Sequence, residues 1–592
     1  EENNEEAGEH FTPREVIELM THIIFKPIKD NLPSIMTIYD PACGSGGMLT
    51  EAQNFIQDPD GEIKSKSDVY LYGKEINDET YAICKSDMMI KGNNPENIRC
   101  GSTLATDEFA GTNFDFMLSN PPYGKSWVAD QKYIKDGKDI IDPRFTIKLN
   151  DSWGNEETAD ATPRSSDGQL LFLMEMVNKM KALSQNPNGS RIASVHNGSS
   201  LFTGDAGGGE SNIRRYIIEN DYLEAIIQLP NNVFYNTGIT TYIWILSNNK
   251  TPSRKGKVQL IDAGQLYRKL RKNLGNKNCE FAPEHISEIY NCYLQMQAIE
   301  RVEDTGIAAQ IFDNQDFGYY KVNIERPKRL KTQFSADKIA ELRFDKTLRE
   351  PMEWAYTKFG DDIYTNLELH NKAILTWCEK QELNLSAKQL KSLTNPTTWA
   401  KQLELLNTAT VMMAAIGTAE YFDFNHFCTD ADNYLKVNKI KLTASEKNTI
   451  YGAISSYDAN AEKVIKTIHK LTGDKLDKLL ARLNCSKEQL ADFGYFATNN
   501  SHEYIEYEAE TDLRDSESVP LKQNIHEYFI NEVRPHVAEA WINLDSVKIG
   551  YEISFNKYFY RHKPLRSLEE VTHDILELER QSDGLIAEIL RL

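Results

Sequence analysis

The chain has 592 residues, more than one ordinary domain contains, so we expect roughly two to four domains. With 40% hydrophobic and 26% charged residues and no apolar run of membrane-spanning length, the composition predicts a globular protein and excludes a membrane span. A formal net charge of -21 argues against a protein that grips duplex DNA unaided, because neutralising phosphates needs a basic surface. Nucleic acid is therefore either not the substrate or is held mainly by a partner.

The eight cysteines are scattered and include no Cys-x-x-Cys pair. This spacing argues against a disulfide framework and against a zinc site, and we expect no bound metal. A reducing cytoplasm is the location that it favours. The chain begins at Glu1 without an initiator methionine, so we expect an N-terminal portion to be absent.

The first predicted element is an amphipathic helix that begins after Thr12. Threonine is a good N-cap, and Pro13 suits the first helical position. The apolar residues that follow at helical spacing are Val16, Ile17, Met20, Ile23 and Ile24. Structurally this segment needs nothing beyond a capped helix.

A predicted strand at 35–39 leads into the turn Asp40-Pro41-Ala42-Cys43-Gly44-Ser45-Gly46-Gly47, and a helical pattern follows. Strand, glycine-rich turn and helix open a nucleotide-binding βαβ unit, in which glycines let the backbone approach the ligand. The match to Gly-x-Gly-x-x-Gly is incomplete because position 49 is leucine. The turn is therefore weak evidence when taken alone.

Further strands are predicted to end near the same place. A strand at 69–73 leads to Glu75, where an acidic residue can accept hydrogen bonds from both ribose hydroxyls, although a solvated loop acid is the commoner role. A strand at 97–100 leads to Ser102, and a fourth ends at Asn120. Because open α/β sheets bind ligands at the carboxyl ends of their strands, these residues are predicted to share one site.

Asn120-Pro121-Pro122-Tyr123 has the properties of a polar clamp. Two prolines fix φ near roughly -65° and remove N–H groups, so the carbonyls of Asn120 and Pro121 are held in one geometry. The Asn120 side-chain oxygen and a fixed carbonyl can each accept one hydrogen of a planar amino group, while Tyr123 offers a face for stacking. A simple turn is an equally good interpretation of the isolated tetrapeptide. The upstream cofactor site favours the clamp.

In their order, Phe11-Thr12-Pro13, Asp40 to Gly46, Glu75 and Asn120 to Tyr123 resemble the motifs of amino-methylating DNA methyltransferases of the γ arrangement, whose cofactor is S-adenosylmethionine. The pattern is most similar to the modification subunit of type I restriction-modification systems, an adenine-N6 methyltransferase. The resemblance covers about residues 8–330 and the C-terminal tail. It implies an α/β fold, with a Rossmann-like methyltransferase core followed by a long, mostly helical C-terminal region.

The resemblance also implies a role for each matching residue. Those near the methionine end of the cofactor would be Phe11, Thr12 and Pro13. Those that cradle its amino acid portion would be Asp40, Pro41, Ala42, Gly44, Ser45 and Gly46. Glu75 would bind the ribose, and Ser102 would accept a bond from the adenine amino group of the cofactor. Asn120 would lie between cofactor and substrate.

For the substrate, the resemblance implies that Asn120 and the Pro121 carbonyl accept the two N6 hydrogens of an adenine extruded from the duplex, with Pro122 holding the geometry. Tyr123 and Phe234 would stack on the extruded base. A core aromatic beside a hairpin is the alternative interpretation of Phe234.

The segment 126–165 is too long for an ordinary connection, and it is predicted to be either a substrate-facing loop or a disordered excursion. Beyond it, we predict a catalytic domain at 1–330, a helical insertion without an identifiable role at 331–545 and a docking segment at 546–592. The heptad seam of the tail, broken once by Ser582, comprises Leu568, Val571, Ile575, Leu578, Leu585, Ile589 and Leu592.

A heptad seam needs a partner helix. The resemblance implies that the partner is a separate specificity subunit, which reads the sequence of double-stranded DNA and so answers the problem of the acidic charge. A second modification subunit and a restriction subunit are expected in the same complex.

Three alternatives stay open. An N-methyltransferase acting on RNA or on a protein glutamine amide can share the Asn-Pro-Pro-Tyr clamp, because it too methylates a planar amino nitrogen. Cytosine-N4 methylation of DNA uses similar chemistry. A non-catalytic scaffold would be expected to have lost Asp40 or Asn120, and both are present.

Overall fold

The structure, a computed structural model, describes residues 12–301, 306–560 and 567–590. Phe11 and Leu592 lie outside the described residues, as do the side chains of Ser582, Leu585 and Ile589. The chain divides into two compact units. The first comprises residues 1–320, 520–522 and 548–592, and the second comprises 321–519 and 523–547.

A single nine-stranded sheet forms the centre of the first unit. Its strands, β1 to β9 in chain order, are Ile35–Asp40, Asp68–Glu75, Ile98–Cys100, Phe116–Ser119, Arg191–Asn197, Leu223–Gln228, Thr241–Ser247, Lys257–Gln265 and Gly306–Asp313. Across the sheet they run in the order β9-β8-β6-β7-β5-β4-β1-β2-β3. All are parallel except β7 and β9. This largely parallel sheet confirms the predicted α/β class.

The main helices of the first unit, α1 to α6, are Arg14–Phe25, Gly47–Gln57, Asp78–Ile90, Gln169–Asn178, Gly209–Glu219 and Pro283–Leu294. Shorter or terminal helices are Gln131–Ile134, Ser199–Phe202, Phe555–Phe559 and Leu568–Leu590. The 3-10 helices are Lys26–Asn31, Pro95–Asn97, Pro143–Phe145 and Asn314–Phe317. No helix among the described residues is both long and apolar enough to pass through a bilayer.

The sheet is buried on both faces, as its near-continuous apolar strands require. Every residue of β7 is buried. Because successive side chains of a strand point to opposite faces, Ile38 packs into one apolar core while its neighbour Tyr39 packs into another. Leu118 and Met117 of β4 divide between the two cores in the same way.

The strand order reverses beside β1. The chain proceeds from β1 to β2 and β3 on one side, and then returns to β4 on the other. In open α/β sheets such a reversal leaves a crevice at the carboxyl ends of the two central strands. Here those ends are Asp40 and Ser119, so the crevice lies where the cofactor turn and the clamp begin.

Two hairpins occupy the long segment 126–165, which is therefore folded rather than disordered. Their strands are Lys135–Asp136 with Asp139–Ile140, and Thr146–Asn150 with Glu156–Asp160. Between them lies Arg144, which is buried and forms ion pairs with Asp142 at 2.7 Å and with Glu175 of α4 at 3.0 Å. Its guanidinium also donates to the backbone carbonyl oxygens of Thr103 and Leu104. This arginine fixes the hairpins to the loop after β3.

The C-terminal part of the first unit is bound into its core. Arg214 of α5 is fully buried, and its Nε donates to the carbonyl oxygen of Tyr551 at 2.6 Å. Its Nη atoms donate to the carbonyl oxygens of Ser200 and Thr203. The Tyr551 N–H in turn donates to the Ser211 hydroxyl. Tyr551 thus completes a buried polar network around Arg214, whose other members lie at positions 200–211.

The second unit is mostly helical, as predicted for the C-terminal region. Its helices are Ala336–Ala340, Arg349–Phe359, Leu367–Lys380, Ala387–Leu393, Pro396–Ile416, Phe424–Val437, Ala444–Ile454, Asp474–Leu483, Ile525–Tyr528 and the π-helix Phe529–Val533. Its 3-10 helices are Glu341–Arg343, Gly360–Tyr364, Lys487–Phe493 and Thr511–Leu513. Its strands are Leu330–Thr332, Ser455–Tyr457, Ile465–Lys470, Phe496–Ala497 and Glu503–Tyr507. The chain passes between the units along Gly318–Glu325, Asp515–Pro520 and Trp541–Tyr551.

Candidate active site

Asp40 joins the turn after β1 to the end of β4. Its Oδ1 accepts hydrogen bonds from the Ala42 backbone N–H at 2.9 Å and from the Ser119 hydroxyl at 2.7 Å. Both bonds favour the ionised carboxyl, but burial disfavours it more strongly and raises the pKa of Asp40 to about 7. Since Ser119 directly precedes Asn120, this carboxyl positions the clamp as well as the cofactor turn.

The glycine-rich turn needs glycine at two positions for different reasons. Gly46 caps α2 with φ of +83°, and a Cβ there would lie 2.7 Å from the Met88 side chain and 2.8 Å from Cys84 Sγ. Gly44 has φ of +54°, and a Cβ there would meet nothing within 4 Å. Gly46 therefore allows α2 to pack against α3, whereas Gly44 leaves open space beside the backbone.

Glu75, at the end of β2, closes this turn. Its Oε2 accepts from the Gly44 N–H at 3.0 Å, and its Oε1 accepts from the Asn77 N–H at 2.8 Å. A carboxylate has about four acceptor positions, so these two bonds leave capacity for the hydroxyls of a ribose. Glu75 thus combines a structural role in the turn with a surface that suits a nucleoside.

A cavity of about 400 Å³ lies at this edge of the sheet. Its lining includes seven residues predicted from the sequence, namely Pro41, Ala42, Gly44, Glu75, Ser102, Asn120 and Pro122. The volume falls within the usual range for sites that bind a small molecule or cofactor. Open backbone at Gly44, acceptors on Glu75 and an apolar wall fit the S-adenosyl cofactor that the resemblance implies.

Ser102 lines the cavity, but its hydroxyl oxygen is already engaged. It accepts from the backbone N–H groups of Leu104 at 3.2 Å and Ala105 at 3.3 Å. A hydroxyl has two lone pairs, so an amino group predicted to donate to Ser102 would compete with these bonds. The neighbouring Thr103 donates to the Pro41 carbonyl oxygen, which ties the two loops together.

Asn120 and Thr12 meet directly. The Nδ2 of Asn120 donates to the Thr12 hydroxyl oxygen at 3.0 Å. Pro13, which follows Thr12, is the N-cap of α1, so the start of that helix lies against the clamp. Pro121 is buried, and Pro122 lines the cavity.

The two aromatics predicted to stack on a base are both buried. Tyr123 is 5% exposed, and its burial raises the pKa of the phenol. Phe234 is 1% exposed and lies in the same apolar core as Ile38 and Leu118. Neither lines the cavity among the residues that the structure describes. The position of Phe234 agrees with the core alternative, and base stacking by either ring stays a prediction.

Trp127 is a cavity residue that sequence reasoning did not assign to the site. Its Nε1 donates to the Arg164 carbonyl oxygen and its backbone N–H to the Ser165 carbonyl oxygen, both at 3.0 Å. A Cβ on Gly168 would lie 3.2 Å from its ring. Trp127 lies soon after the clamp in the sequence, but the segment 164–168 that contacts it is distant along the chain.

A polar cluster holds the chain just after the clamp and was also missed. Asp167 accepts from the Gly124 N–H at 3.0 Å. Gln169 Nε2 donates to Asp167 Oδ2 and to Asn197 Oδ1, each at 2.7 Å. Asn197 ends β5, so this cluster connects the clamp to the next strand of the sheet. Among all the residues that the structure describes, no group of three or more histidine, cysteine or acidic residues is arranged to hold a metal ion.

Comparison with known proteins gives three findings. A model of the family N-6 DNA Methylase matches residues 1–332. The MjaIX type I restriction enzyme methylase subunit of Methanocaldococcus jannaschii is 27% identical over 306 residues, 51% of this chain and 48% of that protein. The HindI type I methylase subunit of Haemophilus influenzae is 29% identical over 269 residues, 44% of this chain and 50% of that protein.

Among solved structures, the methyltransferase subunit of a type I restriction-modification system from Streptococcus thermophilus is 27% identical, with a TM-score of 0.40. The match covers 53% of this chain and 57% of that one. The chain thus spans about half the length of the curated relatives that it matches.

Proposed function

The chain belongs to the N-6 DNA methylase family, and from this premise we propose that it transfers a methyl group from S-adenosylmethionine to N6 of an adenine in DNA. The observation that carries the proposal is the adjacency of the clamp and the nucleoside-sized cavity. Asn120 lines that cavity together with Gly44 and Glu75, and it is held in place by Thr12.

Cofactor binding would use the turn after β1. Gly44 would let the ligand approach the backbone, Glu75 would accept from the ribose hydroxyls, and Asp40 would hold the turn in shape. When bound, S-adenosylmethionine supplies a methyl group attached to a positively charged sulfur. Trp127 and Phe172 would cover the apolar part of the ligand.

The substrate adenine would leave the duplex, as is general for enzymes that modify a base. The Asn120 side-chain oxygen and the Pro121 carbonyl would accept the two N6 hydrogens and direct the nitrogen lone pair towards the methyl group. Asparagine is not a base at neutral pH, so its contribution is positioning and electrostatic preorganisation. Stacking on Tyr123 or Phe234 would require these buried rings to become exposed when DNA binds.

We propose duplex DNA as the substrate and a type I restriction-modification complex as the setting, with a specificity subunit, a second modification subunit and a restriction subunit. The specificity subunit would dock on the C-terminal helix Leu568–Leu590. Apolar side chains on this helix are well exposed: Leu568 is 83%, Ile575 58% and Leu578 64% exposed. Such a surface is the kind that a partner helix covers.

Truncation tests this docking. A chain that ends at Tyr560 should lose co-purification with the specificity subunit while it keeps its affinity for the cofactor. Co-purification of the truncated chain at full yield would contradict the proposal.

Nucleoside mass spectrometry tests the reaction. DNA from cells that express the gene with its neighbouring operon genes should contain N6-methyladenine, and the same operon with Asn120→Ala should not. Asn120→Ala should bind the cofactor within about threefold of wild type, because the amide acts on the substrate side. Finding N4-methylcytosine instead would overturn adenine as the target base. Unmodified DNA, with proteins that are soluble and assembled, would overturn DNA as the substrate.

A further inference from the structure

The most basic stretch of this acidic protein follows β8. Residues 263–279 contain five cationic residues and no acidic one, in a chain that carries 88 acidic and 67 basic residues. The five are Arg268, Lys269, Arg271, Lys272 and Lys277. We call residues 268–280 the basic hairpin. Its strands are Arg268–Leu274 and Lys277–Glu280, which pair in antiparallel fashion.

The outer strand of the basic hairpin presents its charges to solvent. Lys269, Arg271 and Lys272 are exposed, and within the described part of the chain none of the three forms an ion pair or a side-chain hydrogen bond. Arg268 is paired with Glu280 at 2.7 Å. A local field of three uncompensated cations therefore projects from a chain whose overall charge is -21.

The basic hairpin lies at the edge of the sheet that carries the candidate site. β8 is parallel to β6, so its carboxyl end, from which the hairpin continues, lies on the same side as the ends of β1 and β4. The turn end of the hairpin, around Asn276, is bound to the loop after β6. The Asn276 N–H donates to the Tyr235 carbonyl oxygen at 2.7 Å, and the Asn278 N–H donates to that of Asn232 at 3.1 Å.

Lys277 connects the basic hairpin to Glu15, in the first turn of α1. This lysine is 2% exposed, donates to the Val233 carbonyl oxygen at 2.9 Å and forms an ion pair with Glu15. Glu15 follows Thr12 by three residues, a length of chain that spans at most about 11 Å. Thr12 in turn accepts the hydrogen bond from Asn120. The turn end of the hairpin is thus fixed a short distance from Thr12, the residue that contacts Asn120.

We propose that the basic hairpin binds the phosphate backbone of duplex DNA beside the extruded base. This inference rests on the proposed function and adds the surface by which this chain itself contacts DNA. Lysine and arginine on an exposed two-stranded ribbon suit phosphate oxygens, and such contacts set the register of a protein on the duplex without reading its sequence. Because the ribbon is anchored beside the clamp, each phosphate that it holds also orients the strand that delivers the base.

The test compares two charge-matched variants of the full chain, purified with its operon partners. One carries Lys269→Gln, Arg271→Gln and Lys272→Gln. The control carries Lys436→Gln, Lys439→Gln and Lys441→Gln, three exposed lysines of the second unit that, among the described residues, form no ion pair. Binding of a labelled DNA duplex is measured by fluorescence anisotropy between roughly 50 and 200 mM salt.

We expect the hairpin variant to lose about 2 to 3 from the slope of log affinity against log salt, and about 10- to 100-fold in affinity at low salt. The control should keep both values. Affinity for S-adenosylmethionine should be unchanged in both variants, which reports that the first unit is intact. If the triple variant loses its affinity for S-adenosylmethionine, the single variant Arg271→Gln is measured instead. It should lower the slope of log affinity against log salt by about 1.

Unchanged salt dependence in the hairpin variant, with wild type that binds and methylates DNA, would overturn this inference and leave the proposed function in place. Wild type that neither binds nor methylates DNA would overturn both. A wild type that prefers an RNA duplex of the same length, with binding that depends on the hairpin, would assign the surface to RNA and contradict the proposal.

Discussion

The Nδ2 of Asn120 donates a hydrogen bond to Oγ1 of Thr12 at 3.0 Å, across 108 positions of sequence. Because an amide is planar, this bond fixes the orientation of the whole group and therefore the direction of its oxygen. Thr12, just before α1, thus holds the Asn120 amide in one orientation. The orientation of the amide depends on a residue that sequence reasoning assigned to the cofactor instead.

Thr12→Val should lower kcat about tenfold and leave cofactor affinity nearly unchanged. Valine keeps the shape of threonine but removes the acceptor, so the Asn120 amide loses the bond that orients it. Single-turnover methylation at saturating cofactor measures the effect. Thr12→Ser retains the hydroxyl and is expected to stay within about threefold of wild type. Equal losses in the serine and valine variants would contradict an orienting role.

Cofactor affinity should rise with pH through the neutral range. Burial raises the pKa of Asp40 to about 7, so its carboxyl is protonated below that pH and ionised above it. The ionised form is the better acceptor for the Ala42 N–H and the Ser119 hydroxyl, and in the proposed binding mode it would attract the ammonium group of the cofactor. Calorimetric titration from roughly pH 6 to pH 8 should show about three- to tenfold tighter binding. Asp40→Asn should abolish this trend, and a wild-type affinity that does not change with pH would contradict it.

Gly46→Ala should destabilise the first unit by about 2–4 kcal/mol and weaken cofactor binding. The Cβ would be forced against Met88 and Cys84, and alanine is strained at φ of +83°. Gly47→Ala is the matched control, because a Cβ there meets nothing within 4 Å and the position is helical. Hydrogen exchange of α2 and thermal unfolding measure both variants. Equal stability of the two variants would show that close packing at Gly46 is not required.

Arg144→Ala should destabilise the first unit by about 3–5 kcal/mol, because it leaves the partly buried Asp142 carboxylate without its cation and the buried Glu175 carboxylate with Lys179, at 3.7 Å, as its remaining cation. Lys148→Gln breaks an ion pair with Glu156 in the same segment, but both partners are well exposed, and its effect should be under about 1 kcal/mol. Urea unfolding distinguishes the two variants. A small effect of the arginine change would imply that the hairpins do not contribute to the stability of the sheet.

Much of the fold could be predicted because local pattern and global structure agree along β1, α2 and β2. The apolar strand, the glycine-rich turn and the helical pattern each point to the same arrangement, and the chain order of the motifs places them at one edge. The residues that the structure adds are Trp127, Asp167 and Gln169. They reach the site through contacts between segments about 40 residues apart, which no local pattern reports.

The net charge of the chain conceals a local excess of cations. A net value of -21 averages over the whole chain, whereas the local charge of residues 263–279 is entirely positive. This run of cations is visible in the sequence. Its position beside the candidate site follows only from the parallel pairing of β8 with β6 and from the ion pair between Lys277 and Glu15. Burial of Phe234 is a similar case, because an aromatic after a strand fits a core and a binding surface equally well.

The contact between Arg214 and Tyr551 has a consequence for how the protein is made. During synthesis from the N-terminus, Arg214 emerges well before its acceptor at residue 551, and the whole second unit is produced in between. Until then, the buried guanidinium lacks the partner for its Nε, so the first unit cannot reach its final stability. The order of translation thus delays completion of the buried polar network around Arg214 until residue 551 has been made, and a ribosome that stalls earlier releases a fragment in which the Arg214 Nε has no acceptor from Tyr551.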